Sequence, residues 1–139
     1  MASGPALKKA HSHAAIHEAA LNEARELNEI LAKFLEHGKD EQAMETALIT
    51  VEHWETRTLR HADSEEEGLY KELVEEDPEL KDSITELTRD HDIMRDLVKQ
   101  IKHQLENEGI SYETLELFHT LVHVDAFHNK EEERLLPEH

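Results

Sequence analysis

The sequence predicts an all-α protein that folds as an antiparallel, up-down four-helix bundle. The chain of 139 residues has only four glycines and three prolines, so residues that interrupt helices are scarce. Apolar residues recur at intervals of three and four along four segments, which is the spacing of one face of an α-helix. Short breaks separate the segments, and short connections favour antiparallel packing of consecutive helices.

The first two predicted helices form one hairpin. Residues 1–7 are predicted to be a flexible lead-in to a single bundle domain at 8–139, so the first helix starts near residue 7 or 8 and ends at His37. Gly38 is suited to a C-terminal cap, and Asp40 can cap the second helix. The inward face of the second helix follows Ala43, Ala47, Val51, Trp54, Thr58, His61, Glu65 and Leu69.

The third and fourth helices form a second hairpin. Asp77 followed by Pro78 is a strong helix-start signal, and the break at residues 107–109 is followed by Ser111, a possible cap. The inward face of the third helix follows Ile84, Leu87, His91, Met94, Val98, Ile101 and Leu105. That of the fourth follows Leu115, Phe118, Leu121, Asp125, His128 and Glu132.

The composition argues against several classes of function. Fifteen Lys and Arg stand against 33 Asp and Glu, a formal charge of −18, which disfavours binding to nucleic acid and to anionic membranes. The absence of cysteine excludes disulfides, thiolate metal sites and thiol catalysis. No apolar run approaches the roughly 20 residues of a membrane span, and none resembles a secretory signal. We therefore expect a soluble, cytoplasmic protein.

A His-x3-Glu motif occurs twice, in HADSEEEGLY (61–70) and in HNKEEERLLP (128–137). His61 with Glu65, and His128 with Glu132, lie one turn apart on the inward face, so both side chains of a pair can reach one point. Burying two carboxylates without partners is costly, and a metal cation is a suitable partner. Twelve histidines without any cysteine also fit a metal site built from nitrogen and oxygen ligands.

The register of the two hairpins identifies two further histidines. Around a turn near Lys39, His61 lies opposite His17, because each is 22 residues from the turn. Around a turn near Gly109, His91 and His128 are 18 and 19 residues away. The chain thus resembles a duplicated hairpin in which all four histidines are level.

Other candidates stay open or are set aside. His13, one turn before His17, could be a fifth histidine ligand, a supporting group or a residue of a frayed end. Asp125 could accept a hydrogen bond from a ligand imidazole or face solvent. Trp54 and Met94 are expected to pack in the core. The remaining histidines lie off the inward stripes, near helix ends or at the terminus, and are not expected to bind metal: His11, His37, His53, His103, His119, His123 and His139.

Taken together, these motifs resemble the hemerythrin-like (HHE cation-binding) domain family, in particular its bacterial branch, over essentially the whole chain after residue 10. The resemblance implies a carboxylate-bridged, non-haem di-iron centre with a bridging oxide or hydroxide. Its implied bridges are Glu65 and Glu132, and its implied terminal ligands are His17, His61, His91 and His128. One turn from His91, where oxygen-carrying invertebrate relatives have a second histidine, this chain has Leu87 and Arg95.

The resemblance implies a protein that binds O2 or a related small oxidant as a carrier, store or sensor. One alternative is a di-iron enzyme that reduces or disproportionates peroxide, or reduces nitric oxide. Another is a non-redox role, in which iron or zinc is bound for sensing or the bundle merely interacts. Two irons have about twelve coordination positions in total. The four histidines, two bridging glutamates and one bridging oxide or hydroxide would leave about two of these open, or one if His13 is also a ligand. Ligand type does not exclude manganese or zinc, and the sequence names no electron donor.

Overall fold

The computed structural model describes the backbone of residues 4–136 and the side chains of residues 13–136. Its helices are α1 (Gly4–Glu36), α2 (Asp40–His53), α3 (Arg60–Glu67), α4 (Leu69–Glu76), α5 (Lys81–Asn107) and α6 (Tyr112–Leu135). A π-helical segment, Trp54–Leu59, joins α2 to α3, and a 3-10 turn, Pro78–Leu80, leads into α5.

Four helical arms form the bundle: α1, the arm from α2 through α3, α5 and α6. Around the bundle, α1 packs on α2 and α6, and α5 packs on α6 and on the second arm. The described residues contain no strand. The predicted all-α four-helix bundle is therefore confirmed. Within the same residues, no helix is both long and apolar enough to cross a membrane.

Two glycines end helices as the sequence predicted. Gly38 and Gly109 have φ angles of 66° and 82°, a left-handed conformation that glycine adopts without a steric penalty. After α1, the backbone N–H of Lys39 donates to the carbonyl of Phe34 at 2.8 Å, which closes the helix end. Both hairpin loops therefore turn tightly.

The helix starts agree with the sequence in part. Ser111 Oγ accepts from the Thr114 N–H at 3.4 Å, as predicted for α6. Asp77 Oδ1 accepts from the Glu79 N–H at 3.1 Å, but it caps the 3-10 turn and not α5 itself. Asp40 was expected to be a cap, yet it is the first residue of α2, where its charge still favours the positive helix end.

The first helix starts earlier than the sequence pattern indicated. α1 begins at Gly4 and so extends into the predicted lead-in. Pro5 lies in its first turn, where the missing N–H of proline has no intrahelical partner to lose. Residues 1–3 and 137–139 lie outside the described residues, so the flexible lead-in stays a prediction there.

The second arm is less regular than the single helix that the sequence predicted. In the segment Trp54–Leu59 each turn holds more residues than in an α-helix, because its hydrogen bonds span five residues. The helix then breaks at Gly68, whose φ and ψ of −116° and −84° are not helical. After this break, α4 buries Tyr70, which packs in a cluster with Leu73, Ile84, Leu87 and Leu136.

The core has two apolar parts with a polar layer between them. The larger cluster lies on the side of the hairpin loops and includes the fully buried Trp54, Met94 and Phe118. The smaller cluster consists of Tyr70, Leu73, Ile84, Leu87 and Leu136. Along α5, His91 lies between the two clusters, and along α6 the buried Asp125, His128 and Glu132 do so. The candidate site occupies this layer.

Candidate metal centre

Seven side chains from all four arms meet in the polar layer. They form two groups of four ligand atoms, and within each group the atoms lie within 4.8 Å of one another. The first group is His13, His17, His61 and Glu65, and the second is Glu65, His91, His128 and Glu132. The structure thus brings together all six residues predicted from the sequence and adds His13. We call His13, His17 and His61 the three-histidine position, and His91 with His128 the two-histidine position.

Glu65 lies between the two positions. Its Oε2 contacts His13 Nε2 and is 3.5 Å from His17 Nε2 and 3.9 Å from His61 Nε2. Its Oε1 is 3.3 Å from His91 Nε2. One oxygen of the same carboxylate therefore faces each position.

Glu132 repeats this arrangement from α6. Its Oε1 is 2.7 Å from His13 Nε2 and 3.5 Å from His17 Nδ1. Its Oε2 is 3.4 Å from His128 Nε2. Glu65 and Glu132 therefore each present one oxygen to either position.

The two-histidine position requires a positive charge. His91 Nδ1 is 2.7 Å from Glu66 Oε2, and His128 Nδ1 is 2.9 Å from Asp90 Oδ2. Because an ionised carboxylate only accepts, each Nδ1 donates, and a neutral ring then carries a lone pair on Nε2. The two Nε2 atoms are 3.1 Å apart. Facing lone pairs at this distance repel each other, so a proton or a metal cation must bind there.

The carboxylates at the centre are ionised. Glu65 and Glu132 are only 3% and 1% exposed. Burial alone would raise their pKa values, but the surrounding histidines hold the pKa of each carboxyl below its usual range. The reverse applies to His13 and His128, because burial alone would lower the pKa, whereas the carboxylates beside them raise it to about 9. Without metal, protons on these two histidines balance the two carboxylates.

His61 and His17 have nitrogens available for a metal. His61 Nε2 and His17 Nδ1 are buried and have no hydrogen-bond partner among residues 13–136. Burial lowers the pKa of His61, which keeps its ring neutral and its lone pair free. A buried imidazole nitrogen without a partner, next to an ionised carboxylate, fits the donor set of a divalent metal ion.

His13 is the residue that the sequence left undecided. It is 9% exposed, and its Nε2 contacts both Glu65 and Glu132. The signal that identified it as a candidate was its place one turn before His17 on the same helical face. Its contacts with both glutamates match those of a ligand better than those of a supporting group.

Replacing His13 with glutamine is expected to weaken binding of one metal ion by at least about tenfold, because the three-histidine position loses one of its nitrogens. Competition with a chromophoric chelator measures this. His53→Gln is the matched control, since His53 is equally buried but donates to the Ala20 carbonyl at 2.8 Å, away from the centre. Unchanged affinity for both ions in His13→Gln would exclude His13 from the ligand set.

Tyr70 is a site residue that the sequence did not reveal. The inward face predicted for the second helix includes Leu69. After the break at Gly68, however, it is Tyr70 that is buried, at 2% exposure. Its hydroxyl donates to Glu132 Oε2 and lies 3.4 Å from His91 Nε2. Its ring stacks on that of His91 with centroids 5.6 Å apart. Burial and the nearby carboxylates raise the pKa of Tyr70, so it stays a hydrogen-bond donor.

Two carboxylates hold the histidines of the second position. Glu66, which directly follows Glu65, accepts from His91 and also forms an ion pair with Arg95 Nη2 at 2.8 Å. Asp90 accepts from His128, a role for which Asp125 had been considered. Asp125 is buried at 4% exposure, and among residues 13–136 it has no hydrogen bond to a ligand imidazole. Burial raises the pKa of Asp125 to about 6.

The other described histidines lie away from the centre. His37 donates to the Lys33 carbonyl at 2.8 Å, and His103, His119 and His123 are exposed. The side chains of His11 and His139 lie outside the described residues. Trp54 and Met94 are fully buried in the larger apolar cluster, in agreement with their expected role in packing.

The fold and the site together define a class: helical bundles with a buried group of histidines and glutamates that could hold metal. A family model described as the hemerythrin HHE cation-binding domain matches residues 8–138, so the chain belongs to that family. Searches of curated proteins and of solved structures gave no match.

Proposed function

We propose that this protein is a non-haem di-iron protein that binds O2 or a related small oxidant, as a carrier, store or sensor. The observation that carries the proposal is the position of Glu65 and Glu132, each with one oxygen toward the three-histidine position and one toward the two-histidine position. Imidazole and carboxylate donors suit iron, and family membership agrees with a cation site. When bound, an iron pair would supply electrons to, or share them with, a small oxidant.

The unequal number of protein donors favours binding at one metal. Three nitrogens and two carboxylate oxygens face the three-histidine position, whereas two nitrogens and two oxygens face the two-histidine position. With about six positions per iron, the second ion has more room for an external ligand. A single accessible position suits reversible binding better than chemistry that needs both ions exposed.

Tyr70 would hold a ligand at this accessible position. Its hydroxyl lies 3.4 Å from Nε2 of His91, and His91 belongs to the second group of ligand residues. Because its pKa is raised, the phenol keeps its proton, and its O–H would turn from Glu132 Oε2 to donate to a small oxygen-containing anion. The buried residues Leu73 and Leu87 pack in the same apolar cluster as Tyr70.

A second candidate is an enzyme that reduces or disproportionates peroxide, or reduces nitric oxide. It is favoured by two buried acids close to the histidines, the Tyr70 phenol and the Asp125 carboxyl. Burial raises the pKa of Asp125 to about 6, so this group can release or take up a proton near neutral pH. Reduction of a small oxidant consumes protons, which Asp125 could deliver. The electron donor would be a further partner.

Metal analysis and rapid mixing test the proposal. We expect two irons per chain and visible absorption that dithionite bleaches. Stopped-flow mixing of the reduced protein with O2 should give a long-lived spectral change that reverses when O2 is removed. Rapid irreversible oxidation with multiple turnovers of peroxide or nitric oxide would favour the second candidate. A gently purified protein without iron, manganese or zinc would overturn both.

A further inference from the structure

The two metal positions differ in the groups that lie behind their histidines. In the two-histidine position, each imidazole donates its outer N–H to a carboxylate, His91 to Glu66 at 2.7 Å and His128 to Asp90 at 2.9 Å. A carboxylate that accepts from one ring nitrogen raises the basicity of the other. Both ligands of this position are therefore strong electron donors.

The three-histidine position has no such support. Among residues 13–136, His13, His17 and His61 contact no carboxylates other than Glu65 and Glu132, which both positions share. As metal ligands, their nitrogens would therefore donate electrons with the ordinary strength of a neutral imidazole. Glu66 and Asp90 thus place outer carboxylates behind the histidines of the two-histidine position alone.

The two outer carboxylates are not equivalent either. Their side chains are exposed to nearly the same extent, 26% for Glu66 and 28% for Asp90, so water screens them similarly. Arg95 Nη2 lies 2.8 Å from Glu66 and offsets part of its charge, whereas the contacts of Asp90 include no cationic side chain besides His128 within the described residues. Substitution of Arg95 therefore changes the charge beside Glu66 without changing Glu66 itself.

We infer that Glu66 and Asp90 are positioning residues that make the metal pair electronically unequal, so that its two-histidine position stabilises the higher oxidation state. The inference rests on the proposed di-iron function. Stronger donors and added negative charge lower the reduction potential of the ion they face. The iron of the three-histidine position is therefore reduced first, and that of the two-histidine position second.

A mediated redox titration of the iron-loaded protein tests this order. Each step transfers one electron from the mediator to the iron pair, and no ligand bond needs to break. Glu66→Gln and Asp90→Asn keep a side-chain oxygen that can accept but remove its charge, so the second reduction step should move to higher potential and the first should move less. Arg95→Gln should move the second step in the opposite direction.

Matched controls separate this effect from loss of surface charge. Asp63→Asn also loses an ion pair with Arg95, at 2.7 Å, but does not contact a ligand imidazole. Glu86→Gln removes an exposed charge one turn before Asp90 on α5. Both controls should leave the second step close to wild type, and the conservative Asp90→Glu should retain the wild-type potential.

The outcomes distinguish this inference from the proposed function. A shift confined to the first step in the charge-removing variants would show that the two-histidine iron is reduced first and would overturn the inference. Two unchanged steps in proteins with full iron content would also overturn it. A wild-type protein that binds no iron would instead overturn the proposed function. If either carboxylate variant loses iron, the direction of the Arg95→Gln shift still decides the question.

Discussion

Replacing Glu132 with glutamine is expected to reduce the metal content from two ions per chain to one or none. The amide cannot supply two anionic oxygens, and its NH2 group, which cannot bind a metal ion, would replace one oxygen on the side of either His13 or His128. Of the two glutamates, Glu65 alone would then present a carboxylate to both positions. Two metal cations would be bound close together with one negative charge fewer to balance them. Metal analysis after equilibrium dialysis measures the loss, and circular dichroism verifies the fold.

The chain offers close controls for this substitution. Glu133 is adjacent in sequence but exposed, so Glu133→Gln removes the same charge without touching the centre. Glu65→Gln should reproduce the loss, whereas Glu67→Gln, two residues along and exposed, should not. Retention of two tightly bound ions by Glu132→Gln would show that this carboxylate is not a bridge.

Raising the pH from 6.5 to 9 is expected to destabilise the metal-free protein and to strengthen metal binding. In the folded metal-free protein, the pKa values of His13 and His128 are about 9, above the ordinary value of 6.5. Below pH 6.5 both groups are protonated in the folded and unfolded states, so their stabilisation is fully present. It is lost as the pH rises through the folded-state pKa of about 9.

Metal binding has the opposite pH dependence because it must displace these two protons. Over this range the apparent affinity should rise by up to about 100-fold per pH unit if both protons leave. Thermal unfolding at several pH values, with and without metal, measures the first effect. Calorimetry in buffers of different ionisation enthalpy counts the protons released. Release of no protons at pH 7 would contradict protonation of His13 and His128 in the metal-free state.

Periodicity alone predicted the parts of the site that lie on uninterrupted helix. His61 with Glu65 on α3, and His128 with Glu132 on α6, need only the i, i+4 geometry of one helix. His17 and His91 needed one further argument, the register of antiparallel hairpins, which tight glycine turns make reliable. The fold class followed from the same periodicity, since four apolar faces with short connections leave few alternatives to a bundle.

Tyr70 and the outer carboxylates could not be predicted in this way. A glycine within a helical pattern gives no direction for the chain beyond it, so the break at Gly68 and the burial of Tyr70 had no sequence signal. Glu66 occurs in a run of glutamates typical of a solvated face, and only its tertiary contacts with His91 and Arg95 distinguish it. His13 was ambiguous because helical position cannot separate a ligand from a residue near a helix end.

The π-helical segment Trp54–Leu59 lies between the core packing of the second arm and its metal ligands. An α-helix rotates by about 100° per residue, so a segment with more residues per turn leaves the helix before it and the helix after it out of phase. Trp54 packs in the apolar cluster with the phase of α2, while His61 and Glu65 follow the phase of α3. The angle at which this arm presents its ligands therefore differs from the angle that an uninterrupted α-helix continuing from α2 would give.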